Sequence, residues 1–217
     1  MQIGLMCQGR VGEFLSQNME ESKDVLVFGF GGLGKVSYEQ ELRGKTHWLE
    51  DVAVVSKKSN AVIISGCITN TCGQLRKSAL VAENGRILGV TDCTHTVDTR
   101  FSCGAALRIY ETKKGRIGVA VAEDLYFPQV MQTLVDCGSD FIVCPFEKVE
   151  GEMPMVLARA YAFSFGIPIL FCADGCAAFA LENGELTTAL QGEALYASLQ
   201  AHTEYHLIQT RRKGWRK

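Results

Sequence analysis

The sequence predicts an α/β fold, and three observations carry that reading. Short apolar runs such as DVLVFGF (24–30), NAVIISGC (60–67) and GRIGVAV (115–121) have the length and alternation of buried strands. Longer segments with helical spacing separate them, at 38–59, 128–137 and 154–165. At 115–128 the run GRIGVAVAEDLYFP passes from a strand through an acidic dipeptide into a helix begun by Pro128, whose fixed φ suits a first turn. Such an elbow presents one side chain at the carboxyl edge of a sheet, where an open α/β fold places its chemistry. Here that side chain is the methyl group of Ala122.

In chain order, residues 1–8 read as a first strand and 24–30 as a second, with a short helix or loop between them. The glycine-rich turn FGFGGLG (28–34) lacks P-loop spacing and the acidic residue of a dinucleotide fingerprint, which argues against a phosphate site. Residues 38–59 read as one amphipathic helix with Leu42, Leu49, Val52 and Val55 on its apolar stripe, and Trp48 beside them. After the strand 60–67, residues 78–90 form two strands around Glu83-Asn84-Gly85-Arg86, because Asn-Gly readily takes positive φ. A loop over 94–105 leads to the strand ALRIYET and then to the elbow strand. The helix 128–137 stops at Gly138, the strand 140–145 follows, and the helix 154–165 stops at Gly166 before the strand 167–173. The tail carries the turn Glu182-Asn183-Gly184-Glu185 and the strand-like EYHLIQT at 204–210.

A chain of 217 residues, 47% hydrophobic, is expected to form one domain, burying about 70% of the surface its unfolded form exposes. A net charge of −2 and a pI near 6.1 leave no footprint for nucleic acid or an anionic membrane, and the basic tail RRKGWRK is too short to change that. No apolar run approaches the roughly 20 residues of a membrane span, and the first residues lack a secretory pattern, so a cytoplasmic location is expected. Nine scattered cysteines, among them Cys7, Cys67, Cys144 and Cys172 in apolar strands, read as reduced thiols. Cys172 and Cys176 lack the companion pair a structural zinc needs, and neither metal nor cofactor is expected.

The elbow segment closely resembles the nucleophile motif of the nitrilase, or carbon–nitrogen hydrolase, superfamily, roughly G-x-x-I-C-Y-D-x-x-F-P-E. Gly118, Val121, Asp124, Phe127 and Pro128 match it, while the cysteine falls on Ala122, the tyrosine on Glu123 and the last glutamate on Gln129. DVLVFGF is similar to the family's D-L-I-V-F-P-E, which puts the general-base glutamate on Phe30. The family's K-x-H-L falls on Cys93-Thr94-His95-Thr96, so the histidine is kept and the lysine is not. Leu157, Arg159 and Ala160 resemble L-x-R-A-x-E-N, with the glutamate and asparagine falling on Ala162 and Phe163. The likeness covers residues 1 to about 175, and the closing segment, about 176–217, is shorter and divergent.

The resemblance implies a four-layer α-β-β-α sandwich, which buries both faces of its strands between paired sheets and outer helices. It also implies that the triad positions Phe30, Cys93 and Ala122 have lost their chemistry, since a covalent route needs a nucleophile, a base within reach and fixed donors for the developing charge. The sequence therefore points to a catalytically degenerate protein that binds a small amide- or carboxylate-like ligand or serves as an assembly partner. Two other readings stay open: an amide hydrolase with a site rearranged around Cys93, Cys103 or Glu123, and a thiol-based redox or sensing protein. The candidate pocket residues are Phe30, Cys93, Ala122, Glu123 and Tyr126. Phe30 reads first as a pocket-filling aromatic, Cys93 as an inert wall residue without a nearby base or cation, and His95 as a satisfied loop histidine. Asp124 reads as a structural acceptor at the elbow, and Asp98 is the nearest carboxylate in the following loop. The pocket is expected to be more apolar than in active relatives. The helix PMVLARAYAFSF (154–165) has Arg159 and Ser164 as its clearly polar side chains, so its outer side needs a cover. A homodimer through helices 128–137 and 154–165 is expected, as the resemblance also implies.

Overall fold

In a computed structural model of the chain, residues 1–15, 23–190, 192, 194–200, 203–205 and 210–212 are described, the last two segments as backbone. Two sheets lie face to face with helices outside them, the α-β-β-α layering expected from the sequence. The first sheet contains β1 (Gln2–Met6), β2 (Val25–Phe28), β3 (Lys35–Ser37), β4 (Val62–Thr71), β5 (Gln74–Glu83), β6 (Arg86–Asp92) and β13 (Ala194–Ser198). Its order is β13-β1-β2-β4-β5-β6, with β3 also pairing with β4. The second contains β7 (Arg108–Thr112), β8 (Gly115–Val119), β9 (Phe141–Pro145), β10 (Ile169–Ala173), β11 (Cys176–Ala180) and β12 (Leu186–Leu190), in the order β12-β11-β10-β9-β8-β7. Among the described residues the α-helices are α1 (Tyr38–Leu42), α2 (Trp48–Ser59), α3 (Pro128–Asp136) and α4 (Met153–Phe165), with α2 packed on the outer face of the first sheet and α3 and α4 on that of the second.

The strands sort their side chains by the period of two that a doubly covered sheet demands. Val25 and Val27 of β2 join the apolar cluster between the sheets, whereas Leu26 and Phe28 join Val52 and Val55 of α2 on the outside. On the second sheet Phe141 and Val143 point inward, and Ile142 and Cys144 meet α3 and α4. The β5–β6 hairpin turns on Asn84 (φ 49°) and Gly85 (φ 80°), both in the left-handed region that an Asn-Gly turn was expected to supply.

Several expectations need correction. Residues 38–59 are not one helix. Gly44 (φ 65°) ends α1, and the Glu41 carboxylate turns back to accept the N–H groups of Trp48 (3.2 Å) and Leu49 (3.0 Å), capping α2 at a corner. Leu42, assigned to the buried stripe, is 89% exposed. Asn60 takes φ 53° as the stop of α2, so β4 begins only at Val62. Val130, Met131, Leu134 and Val135 of α3, expected to help form a dimer surface, are buried against their own sheet. What α3 turns outward is Gln129, Thr133 and Asp136. At the end of the chain the backbones 203–205 and 210–212 pair antiparallel, while the middle of the strand expected at 204–210 and most of the basic tail fall outside the described residues.

Candidate functional site

The elbow has the geometry its sequence suggests. After β8 the chain enters a short 3-10 turn, Ala122–Tyr126, and Phe127 is extended before Pro128, as a pre-proline residue prefers. Ala122 itself sits at φ 48°, a conformation that costs an L-residue roughly 1–2 kcal/mol. Asp124 holds it there. Its fully buried carboxylate accepts the Thr94 N–H (3.0 Å), the Thr94 hydroxyl (2.7 Å) and the His95 N–H (3.0 Å), and lies 3.2 Å from His95 Nδ1. The His95 ring stacks on Phe127 with centroids 4.2 Å apart. These bonds tie the elbow of the second sheet to the loop that leaves β6 of the first. Asp124 is thus the structural acceptor it was read to be, and His95 is satisfied within the loop.

Cys93 extends the β5–β6 ladder by one residue, its N–H donating to the Lys77 carbonyl at 2.8 Å, so its side chain stands across from that of Lys77. Glu123 approaches from the other sheet. One carboxylate oxygen pairs with Lys77 Nζ and the other lies 3.7 Å from Cys93 Sγ. Lys77 also sits 5.1 Å from the centre of the Phe101 ring, brought there by the loop after β6. The site therefore holds a partly buried ion pair where an apolar pocket was expected, and Cys93 does have a base and a cation beside it. Neither activates it. Burial, and then the charges of Asp124 and Glu123, push its thiol up to about 12. A thiol raised in this way stays protonated at neutral pH, and the thiolate is the nucleophilic form.

Phe30, Cys93 and Ala122 all belong to the apolar cluster between the sheets. The Phe30 ring lies flat against Gly66 of β4, where a Cβ would come within 2.2 Å of it, so the glycine is what admits the aromatic. Its N–H donates to the Phe146 carbonyl of the opposite sheet at 2.9 Å. Tyr126 is 41% exposed at the outer margin, edge-on to Phe146, and burial, then the Glu123 charge, raise its hydroxyl above the ordinary value. Cys103 is exposed, and all nine cysteines are free thiols. Asp98 pairs with Arg100 on the surface. No group of three or more ligating side chains suited to a metal occurs among the described residues.

Sequence reasoning missed two residues. Lys77 lies 46 positions from Glu123, and only the β5–β6 register followed by sheet stacking brings them together. Asp174 lies just past β10, and its carboxylate docks into the glycine-rich turn. It accepts the Gly31 N–H at 2.7 Å, and a Cβ on Gly29 or Gly31 would strike it at 2.7 or 2.8 Å. That docking accounts for glycine at 31, while Gly29 is also required by the backbone of Ala173 and Asp174 at 2.8 and 2.9 Å, and the signal was the unexplained glycines themselves.

The fold is shared with solved amidases and hydrolases. A cysteine-to-alanine mutant of the Nesterenkonia AN1 amidase from the nitrilase superfamily superposes with a TM-score of 0.77 at 15% identity, over 92% of this chain and 90% of that one. Saccharomyces cerevisiae Nit3, from branch 10 of the same superfamily, gives 0.74 at 15% identity over 91% and 89%. A carbon–nitrogen hydrolase from Helicobacter pylori G27 gives 0.74 at 17% over 91% and 88%. In sequence, 119 residues are 28% identical to a probable nitrilase of Schizosaccharomyces pombe, 52% of this chain but only 40% of the length of that relative. No family model matches the chain. The chain therefore has the fold of these nitrilase-superfamily structures and a partial sequence likeness to a probable nitrilase. Among the described residues no helix is long and apolar enough to cross a membrane.

Proposed function

We propose that this chain is a catalytically degenerate, cytoplasmic member of the superfamily, which binds a small amide- or carboxylate-like ligand or serves as an assembly partner, and which forms a homodimer. One observation carries the reading: the elbow keeps its strained left-handed residue, yet the side chain it presents is the methyl of Ala122. Phe30 can take no proton, and the Lys77 ammonium is already committed to Glu123. Incubating the purified protein with amides, nitriles and N-carbamoyl compounds, with products followed by mass spectrometry, tests it. Turnover is expected at background, and robust turnover of any of these by the wild type would overturn the reading.

The second reading, a hydrolase of non-peptide C–N bonds with a rearranged site, is favoured by the contact of Cys93 with Glu123 and, beyond it, Lys77. It requires activity that Cys93→Ser and Glu123→Gln each abolish, and alkylation of Cys93 at pH 8, which a thiol raised to about 12 resists. The homodimer is supported by α4, whose outward face carries Met153, Val156 and Phe163, each more than half exposed. A chain that sediments as a monomer at micromolar concentration would remove that part of the proposal.

A further inference from the structure

Away from the elbow, at the carboxyl ends of β1 and β10, a cleft of about 360 Å³ opens between the two sheets. That volume lies within the range of small-molecule sites. Gln8, Arg10 and Asp174 line it, with Gly31 and Gly175 leaving backbone as wall. The cleft sits across the sheet order from the Cys93 group, since β1 and β10 are separated from β5 and β8 by intervening strands.

Neither charged residue that lines it has an ion-pair partner among the described residues. Asp174 is half-buried, and among the described residues its carboxylate accepts one hydrogen bond, from the Gly31 N–H on Oδ1. No cation of the described residues pairs with it. Burial, with the like charge of Glu147 nearby, holds its carboxyl above the usual range. A half-buried carboxylate with a single neutral donor gains from any cation that reaches it. Arg10 is the complementary case. Its backbone N–H donates to Glu13 at 3.0 Å and its guanidinium lies 5.2 Å over the Trp48 ring, but that fork makes no hydrogen bond to any described residue. Arg10 and Asp174 share the cleft without pairing with each other, and the Gln8 amide stands by without a partner among the described residues.

A cleft lined by Arg10, an exposed side chain whose guanidinium has no ion-pair partner among the described residues, and by the Asp174 carboxylate, with glycine backbone between, complements a ligand that carries both charges. We propose that it binds a small amino-acid zwitterion, with Arg10 taking the carboxylate and Asp174 the ammonium. The site shares no residue with the Cys93 group, so it stands or falls independently of whether the chain hydrolyses anything.

Titration calorimetry of the full chain with L-alanine, γ-aminobutyrate, propionate and propylamine tests this. At least one of the two zwitterions is expected to bind at least about tenfold more tightly than either singly charged analogue. Arg10→Gln and Asp174→Asn should each weaken that binding by about tenfold or more. Asparagine keeps an acceptor for the Gly31 N–H, and a thermal melt of each variant confirms that it is folded. Wild-type affinity should fall on acidification as Asp174 takes up a proton, and Asp174→Asn should lose that dependence. Absence of binding by both zwitterions, equal binding of propionate or propylamine, or wild-type affinity in either folded variant would overturn the assignment.

Discussion

Asp124 and Asp174 are both aspartates of the second sheet that reach across to accept backbone N–H groups from a turn of the first. They end in different states. Asp124 is fully buried and collects two backbone N–H groups and a hydroxyl, with an imidazole alongside, so its charge is met by several donors inside the protein. Asp174 is half-buried and collects one N–H. The same residue type, in the same kind of crossing, is a clamp where several buried donors hold it and a docking point where one does. The clamp holds the elbow that presents Ala122; the docking point stands at an open cleft.

The largest effect expected from this difference is at the clamp. Asp124→Ala removes the acceptor of three donors at once, and each buried donor left without a partner costs about 1–3 kcal/mol. Allowing for water reaching the loop, the stability loss should be about 3–5 kcal/mol in urea unfolding. A loss below about 1 kcal/mol would mean that packing of the 3-10 turn, rather than these bonds, holds the elbow.

Asp174 sharpens the comparison from the other side. Gly31→Ala places a Cβ 2.8 Å from Asp174 Oδ1 and 3.1 Å from its Cγ, so the carboxylate must leave its dock. The expected cost is about 2 kcal/mol. In an Asp174→Ala background the same change meets nothing there and should cost about 1 kcal/mol less, a coupling that a double-mutant cycle reads directly. Additive costs would show that Gly31 is required for some reason other than this carboxylate.

How much of this was legible in the sequence follows from the same residues. Strand positions and layers were readable because a doubly covered sheet leaves period-two apolar runs, and the elbow because Pro128 and the small residues before it are local signals. The break at Gly44 was missed because Leu42 mimics the stripe of the following helix, while the Glu41 cap that turns the corner has no periodicity of its own. Phe30, Cys93 and Ala122 were located by local motifs. Lys77 and Asp174 were not, because their partners lie on the opposite sheet and no spacing along the chain encodes how two sheets stack.

A smaller effect separates Ala122 from the other alanines of the core. Buried Ala→Gly changes usually cost about 1 kcal/mol through lost packing and a freer unfolded chain. At Ala122 the left-handed strain of roughly 1 kcal/mol is released at the same time. Ala122→Gly should therefore be close to neutral, whereas Ala79→Gly, in β5 and equally buried, should show the full cost. Equal losses at both positions would indicate that Ala122 carries no strain worth relieving.

The smallest effect lies at the far end of the sheets, where Asp24 does for charge what Asp124 does for backbone donors. Its carboxylate accepts the Gln2 N–H of β1 at 2.7 Å and pairs with Lys114 in the β7–β8 turn, joining the two sheets at one corner. Burial pushes this carboxyl upward, but the hydrogen bonds from Lys114 and Gln2, with the Lys114 charge, outweigh it and leave it below the ordinary value. A carboxyl lowered on folding contributes stability that is present above its unfolded value, about 3.9, and is lost as the pH falls through the folded one. The pair is partly exposed and screened, so Asp24→Asn should cost only about 0.5–1 kcal/mol at pH 7. Asparagine keeps an acceptor for the Gln2 N–H, which leaves the charge as the main thing removed. Unfolding free energies of wild type and variant, measured from pH 7 down to pH 3, should therefore converge on acidification, and at pH 7 their difference should shrink in 1 M salt. A difference that stays constant with both pH and salt would assign the effect to packing at the corner and not to the ion pair.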